Sequence, residues 1–295
     1  MKNRAEKRIS AAIRLAGSSS ILFILLIFIF LLSEGLPALG EVTPGELLST
    51  RWYPIEGLYG ILPLISGSLI VTISSILIAL PLGVGTAVYI AEIAPPAVKE
   101  VLKPLVEILA GIPSVVLGFI GILVLSPFLR RFLHLPTGLT ALSGAILLAL
   151  ISIPTIVSIA EDALYAVPTS YREAAYALGA SRWETIWGVT LPAARSGVLT
   201  AVMLGIGRSL GETMAVMMVT GNAPVMLDSL GAFFSPVRTM TATIASEMGE
   251  VATGSTHYHV LFFIGIVLFV FSLIINVSAS ASSARGKKGK EQVIS

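Results

Sequence analysis

The chain has 295 residues, of which 55% are hydrophobic and 12% charged, with a formal net charge of +2. Soluble domains carry about 25% charged residues, so half of the usual polar surface is missing; a solvated globule, a disordered chain and a nucleic-acid binder are all excluded. The absence of cysteine excludes a disulfide framework, an iron–sulfur cluster and a thiolate metal site, and three scattered histidines (His134, His257, His259) make no convincing metal cluster. An integral membrane protein remains, long enough for several spans with modest loops.

A bilayer core about 30 Å thick needs roughly 20 apolar residues per helix. Six stretches are long and apolar enough to be read as spans: about 18–33, 65–90, 108–129, 135–160, 196–220 and 256–280. The first follows Lys2, Arg4, Lys7, Arg8 and Arg14, the pattern of a signal peptide. No clean small-x-small cleavage site follows it and five more spans do, which favours an uncleaved anchor. Lys and Arg outside the spans divide 14 to four between the two sides. The richer side holds the N-terminal tail, the 91–107 and 161–195 loops and the C-terminal tail. By the positive-inside bias both ends lie in the cytoplasm, as six crossings require. Two longer external segments follow, about 34–60 (with Trp52 and Tyr53) and about 221–255 (with Asp228, Arg238 and Glu247), the latter with loop or re-entrant character. Pro81, Pro113 and Pro154 interrupt apolar runs and are expected to kink helices. Glu92 and Glu107 fall at the inner boundary without an assigned role. His257 and His259, near the external end of the sixth span, read as solvated loop residues. No internal repeat is visible.

The 161–195 loop has a pattern of its own. Thr169 or Ser170 is suited to cap a short helix opening near Tyr171, Gly179 to end it in a left-handed turn, and Ser181 to cap a second helix that Pro192 closes. Trp183 and Trp187 lie one turn apart on that second helix. The pair makes a rigid knob or, on a plainer reading, an interfacial anchor. Glu173-Ala174-Ala175, then Gly179, then Val189-x-Leu191-Pro192 resembles the EAA motif of binding-protein-dependent ABC importer permeases, with Val189 where Ile is usual. The resemblance implies a coupling helix seated in a groove of a separate ATPase, with ATP and Mg held there and no cofactor on this chain. Consistently, no Gly-x-x-x-x-Gly-Lys-Ser/Thr run occurs. The Gly205-x-Gly207-x-x-x-Gly211 spacing lies in an apolar span, where small residues let helices approach closely.

Arg208 falls about 12 residues into a helix starting near Ser196, roughly 18 Å along it and close to mid-membrane. Glu212 follows one turn later on the same face. Charges at bilayer centre cost about 2.5–3.5 kcal/mol on insertion scales, so neither is expected to face lipid. A helix-packing ion pair is one reading. An anion site is the other, because guanidinium is a permanent, forked donor to oxyanions. Gly207-Arg208-Ser209-Leu210-Gly211-Glu212-Thr213-Met214-Ala215-Val216 resembles the corresponding segment of phosphate-specific ABC permeases, the PstC-type subunit more than the PstA-type. Leu109–Phe119 resembles it as well.

The resemblance covers most of 61–280 and implies an all-α type I (MetI-like) importer permease fold with six transmembrane helices. It divides the chain into an N-terminal region 1–60, a permease core 61–280 and a basic tail 281–295. It implies a substrate path at Arg208, Ser209, Glu212 and Thr213, and ATPase coupling through Glu173, Ala174, Ala175, Gly179, Leu191 and Pro192. The implied partners are a PstA-type permease, two PstB-type ATPase subunits, a PstS-type external phosphate-binding protein, inorganic phosphate and the bilayer. Permeases for phosphonate, molybdate or sulfate, an ion-driven carrier and a non-transporting scaffold are the alternatives.

Overall fold

Among the described residues, six helices are long and apolar enough to cross a bilayer: Arg8–Glu41, Leu62–Ile93, Ser114–Phe132, Ala141–Tyr165, Arg182–Gly211 and Thr256–Ser278. The computed structural model describes the backbone of 2–226 and 230–294, and the side chains of 8–226 and 231–278. Asp228 and the side chains of Lys2, Arg4, Lys7, Arg285, Lys287, Lys288 and Lys290 lie outside the described residues.

In chain order, α1 (Lys2–Gly35) leads into α2 (Ala38–Glu41), α3 (Pro44–Leu47) and a small antiparallel hairpin, β1 (Trp52–Tyr53) with β2 (Leu58–Tyr59). Next come α4 (Leu62–Val88), extended by a π-turn at Tyr89–Ile93, then α5 (Pro96–Gly111), α6 (Ser114–Ile120) and α7 (Ser126–Phe132). The central helix is α8 (Ala141–Tyr165). Short helices α9 (Thr169–Ala177) and α10 (Arg182–Thr185) precede α11 (Leu191–Gly211), α12 (Met214–Val219), α13 (Met240–Glu247) and α14 (Thr256–Ile294).

Of the most apolar window of α8, 61% is buried inside the chain, against none for that of α1. The three-helix core of α4, α8 and α11 depends on small residues. A Cβ on Gly83 of α4 or Gly205 of α11 would come within 2.8 or 2.7 Å of Ile156 on α8, so Ile156 is wedged between two glycines. Halfway along the core, Ser75 donates to Ser209 at 3.2 Å and Ser209 meets Ser152 at 2.7 Å, all three buried. α1 packs outside α14, with Phe28 stacked on Phe269 at 4.7 Å.

The prolines act differently from one another. Pro81 and Pro154 stay inside α4 and α8, whereas Pro113 ends a helix instead of kinking one. A residue before proline avoids the α region; Ile112 is extended (ψ 126°), so α5 stops and α6 starts afresh. Much of the expected 91–107 loop is therefore the amphipathic helix α5, whose Lys103 reaches the otherwise buried Glu161 of α8 at 3.3 Å. That hydrogen bond and the Glu161 charge hold the Lys103 ammonium above the ordinary lysine range. Pro192 does not close a helix either. A π-turn at Ile186–Thr190 links α10 to α11, and Pro192 sits in the first turn of α11, where no donor is needed.

The segments at the α8 N-terminal end form a packed cap. Trp52 is buried and donates to Glu247 at 3.2 Å; Glu247 also takes Arg238 at 2.7 Å and His257 at 2.8 Å. His259 pairs with Glu41 at 2.8 Å. The expectation of solvated histidines is thus corrected: both open α14 and are held by carboxylates from elements whose proximity sequence spacing does not reveal.

Candidate functional site

The 161–195 loop forms the expected two-helix knob. Gly179 takes φ +82°, and the amides of Gly179 and Ala180 close back on the carbonyls of Tyr176 and Ala175, a Schellman ending. Ser181 caps α10 in a reciprocal capping box with Glu184. α9, by contrast, has no side-chain cap; it opens after the extended Pro168 with Thr169 already helical.

On α9 the side chains divide by face. Glu173 and Ala174 are exposed, while Ala175 is buried. Tyr171, Tyr176, Leu178, Trp183 and Trp187 are also exposed, giving the knob an apolar outer surface. Gly179 is exposed at the joint, and Leu191 and Pro192 lie where the π-turn enters α11.

The knob is bolted to α4. Arg172 grips the Glu92 carboxylate through Nη2 at 2.6 Å and Nε at 3.1 and 3.3 Å, and donates to the carbonyls of Val167 and Leu164 at 2.9 Å each. Arg182 bonds the carbonyls of Glu92 and Ile93. Glu92 lies in the π-turn at the end of α4, so α9 and α10 are both tied to a core helix. Its role escapes sequence reading because Arg172 is 80 positions away.

The apolar run expected as the fifth span, 196–220, is broken after Gly211. α11 ends at Gly211, Glu212 is extended (ψ 130°), and α12 begins at Met214. Arg208 and Glu212 are therefore not one turn apart on a single helix, and no ion pair joins them among the described residues. Glycine at 211 weakens the helix there. The break is then satisfied locally: Glu212 Oε1 accepts the amides of Thr213 at 3.2 Å and Ala215 at 3.4 Å, and its backbone carbonyl accepts the Thr241 hydroxyl of α13 at 3.1 Å. α13, whose first four residues are buried, is the helical element of the 221–255 segment.

Arg208 faces outward from the α4–α8–α11 core, exposed, and donates from Nη1 to the Thr155 hydroxyl at 3.0 Å. Thr155 stands 14 residues into the 25-residue α8, about 21 Å along it, which keeps Arg208 at mid-depth. Ser209 points the other way, into the buried serine cluster, and Thr213 hydrogen-bonds the Gly211 carbonyl at 3.3 Å. The arrangement places one guanidinium, without an acidic partner among the described residues, beside a hydroxyl on an open face of the bundle centre. A broken membrane helix beside a lone charge is a way to build an ion site at bilayer midplane.

The family model of the binding-protein-dependent transport system inner membrane component matches residues 79–287, and the chain belongs to that family. It is a multi-pass ABC importer permease of type I. A probable ABC transporter permease, YqgH of Bacillus subtilis, is 45% identical over 266 residues, covering 88% of this chain and 85% of that protein. The phosphate transport system permease PstC of Mesorhizobium japonicum is 38% identical, covering 78% and 75%. The inward-facing MetNI methionine ABC transporter superposes with TM-score 0.57 at 20% identity, covering 80% of this chain and 99% of that one, which shows a shared fold.

Proposed function

We propose that this chain is the transmembrane subunit of an ATP-driven importer of inorganic phosphate, with Arg208 as the group that draws the anion through the bilayer centre. The observation that carries this reading is the exposed Arg208 at mid-depth, unpaired with any carboxylate among the described residues and aligned by Thr155. The PstC relatives, 32–38% identical, support phosphate as the cargo. Glu212 offers a second feature: its Oε1 is occupied by backbone amides, while Oε2 makes no hydrogen bond among the described residues. Protonated phosphate has an O–H to donate to that oxygen, and fully ionised sulfate has none.

In this reading the basic side, with both termini and the α9–α10 knob, is cytoplasmic. The knob's outer face, with Glu173 and Ala174, sits on one of two PstB-type ATPase subunits, which bind ATP and Mg. A PstA-type permease completes the path, and a PstS-type receptor delivers phosphate at the Trp52 cap. Nucleotide-driven closure of the ATPases shifts the knob, Arg172 and Glu92 pass that shift to α4, and the path past Arg208 opens and closes. The chain itself supplies no catalytic group.

Since one relative carries no stated substrate, anion competition is the test. Labelled phosphate uptake by vesicles holding the complete complex is measured against excess unlabelled phosphate, sulfate, molybdate and methylphosphonate. Inhibition by phosphate alone is expected; stronger inhibition by one of the others would reassign the cargo.

A further inference from the structure

Between Glu107 and Glu161 the chain has no acidic residue, yet Arg130 and Arg131 lie side by side at the end of α7. They stand at the opposite end of the bundle from α9 and α10, where the positive-inside bias disfavours them. Both are exposed, and neither makes an ion pair or side-chain hydrogen bond among the described residues. They line a cavity of about 380 Å³ together with Thr137 and Ser126, whose hydroxyl is buried and has no partner among the described residues. A second depression of about 560 Å³ shares Pro127 and Arg131 with the first and is otherwise walled by Leu123, Val124, Phe128 and Phe132. The Phe128 and Phe132 rings stack at 5.6 Å, extending a flat apolar wall along the helix.

A cationic cavity opening onto an apolar groove that runs along a membrane helix is complementary to one kind of molecule, an amphiphile with an anionic head. We infer that this is a binding site for an anionic phospholipid of the leaflet opposite the knob. Arg130 and Arg131 hold the headgroup phosphate, Ser126 and Thr137 supply hydroxyls, and the groove along α7 takes an acyl chain. Forked guanidinium donors match phosphate oxygens, and basic pockets beside membrane helices select anionic headgroups. A site for free phosphate would need the cavity but not the groove, which is why the lipid is favoured.

The full-length protein is placed in nanodiscs of phosphatidylglycerol and phosphatidylcholine, extracted in detergent, and its retained lipids are weighed by native mass spectrometry. Retention of phosphatidylglycerol is expected to fall about 30-fold in R130Q/R131Q, the scale of two interfacial cations, with phosphatidylcholine unchanged. Leu123→Trp, which fills the groove and leaves both arginines, is expected to lower retention as well. Retention equal to the native protein in the double variant would overturn the site. So would displacement of the lipid by millimolar inorganic phosphate, which would mark a free-anion site, or oxidative disulfide cross-linking of F128C to a cysteine introduced in the second permease of the complete complex, which would mark a protein interface.

Discussion

Replacing Arg208 by alanine is expected to cut phosphate uptake by up to about 100-fold while the complex still assembles. The side chain is exposed and makes a single hydrogen bond among the described residues, to the half-buried Thr155, so its removal leaves no fully buried group unsatisfied. The loss falls on the anion. A charge-assisted contact contributes about 1.5–3 kcal/mol, so at its upper end uptake at low phosphate drops on the order of 100-fold. Arg208→Lys keeps the charge without the planar fork and is expected to fall between the two. Initial uptake rates in vesicles, with subunit stoichiometry checked by gel, measure both. Native uptake by a fully assembled Arg208→Ala complex would remove Arg208 from the path.

The second large effect separates the two faces of the knob. Arg172 makes three contacts to Glu92 and two to backbone carbonyls, and its partner carboxylate is only 8% exposed. Removing one partner of such an enclosed pair costs about 3–5 kcal/mol, enough to free α9 from the end of α4. Arg172→Ala is therefore expected to copurify with the ATPase yet import phosphate at least about tenfold more slowly per ATP hydrolysed. Glu173→Lys, on the exposed face, is expected to do the opposite and lose the ATPase on purification. Copurification and coupling at native levels in both variants would contradict the division of the knob into a docking face and an anchored face.

The six spans were legible because bilayer thickness imposes a length and a composition that need no tertiary information. The knob was legible for a similar reason: Gly179 and Ser181 act on their own neighbours, so local chemistry fixes the joint and the second cap. What stayed hidden depends on contacts between distant positions. Arg172 with Glu92, Arg208 with Thr155, Trp52 and His257 with Glu247, and the serine cluster of α4, α8 and α11 leave no trace in spacing. The break after Gly211 was missed because apolar residues continue on both sides of it. Glu212 then reads as a helical neighbour of Arg208, when its carboxylate caps the next helix. Pro192 misled for the reverse reason, since a π-turn accommodates it inside a continuous path from α10 to α11.

The most direct measurement is phosphate accumulation in sealed vesicles bearing this chain, its second permease and the external receptor, with the ATPase either present or omitted. Accumulation only with the ATPase and hydrolysable ATP is the predicted result; accumulation without the ATPase, sustained by an ion gradient alone, would contradict it.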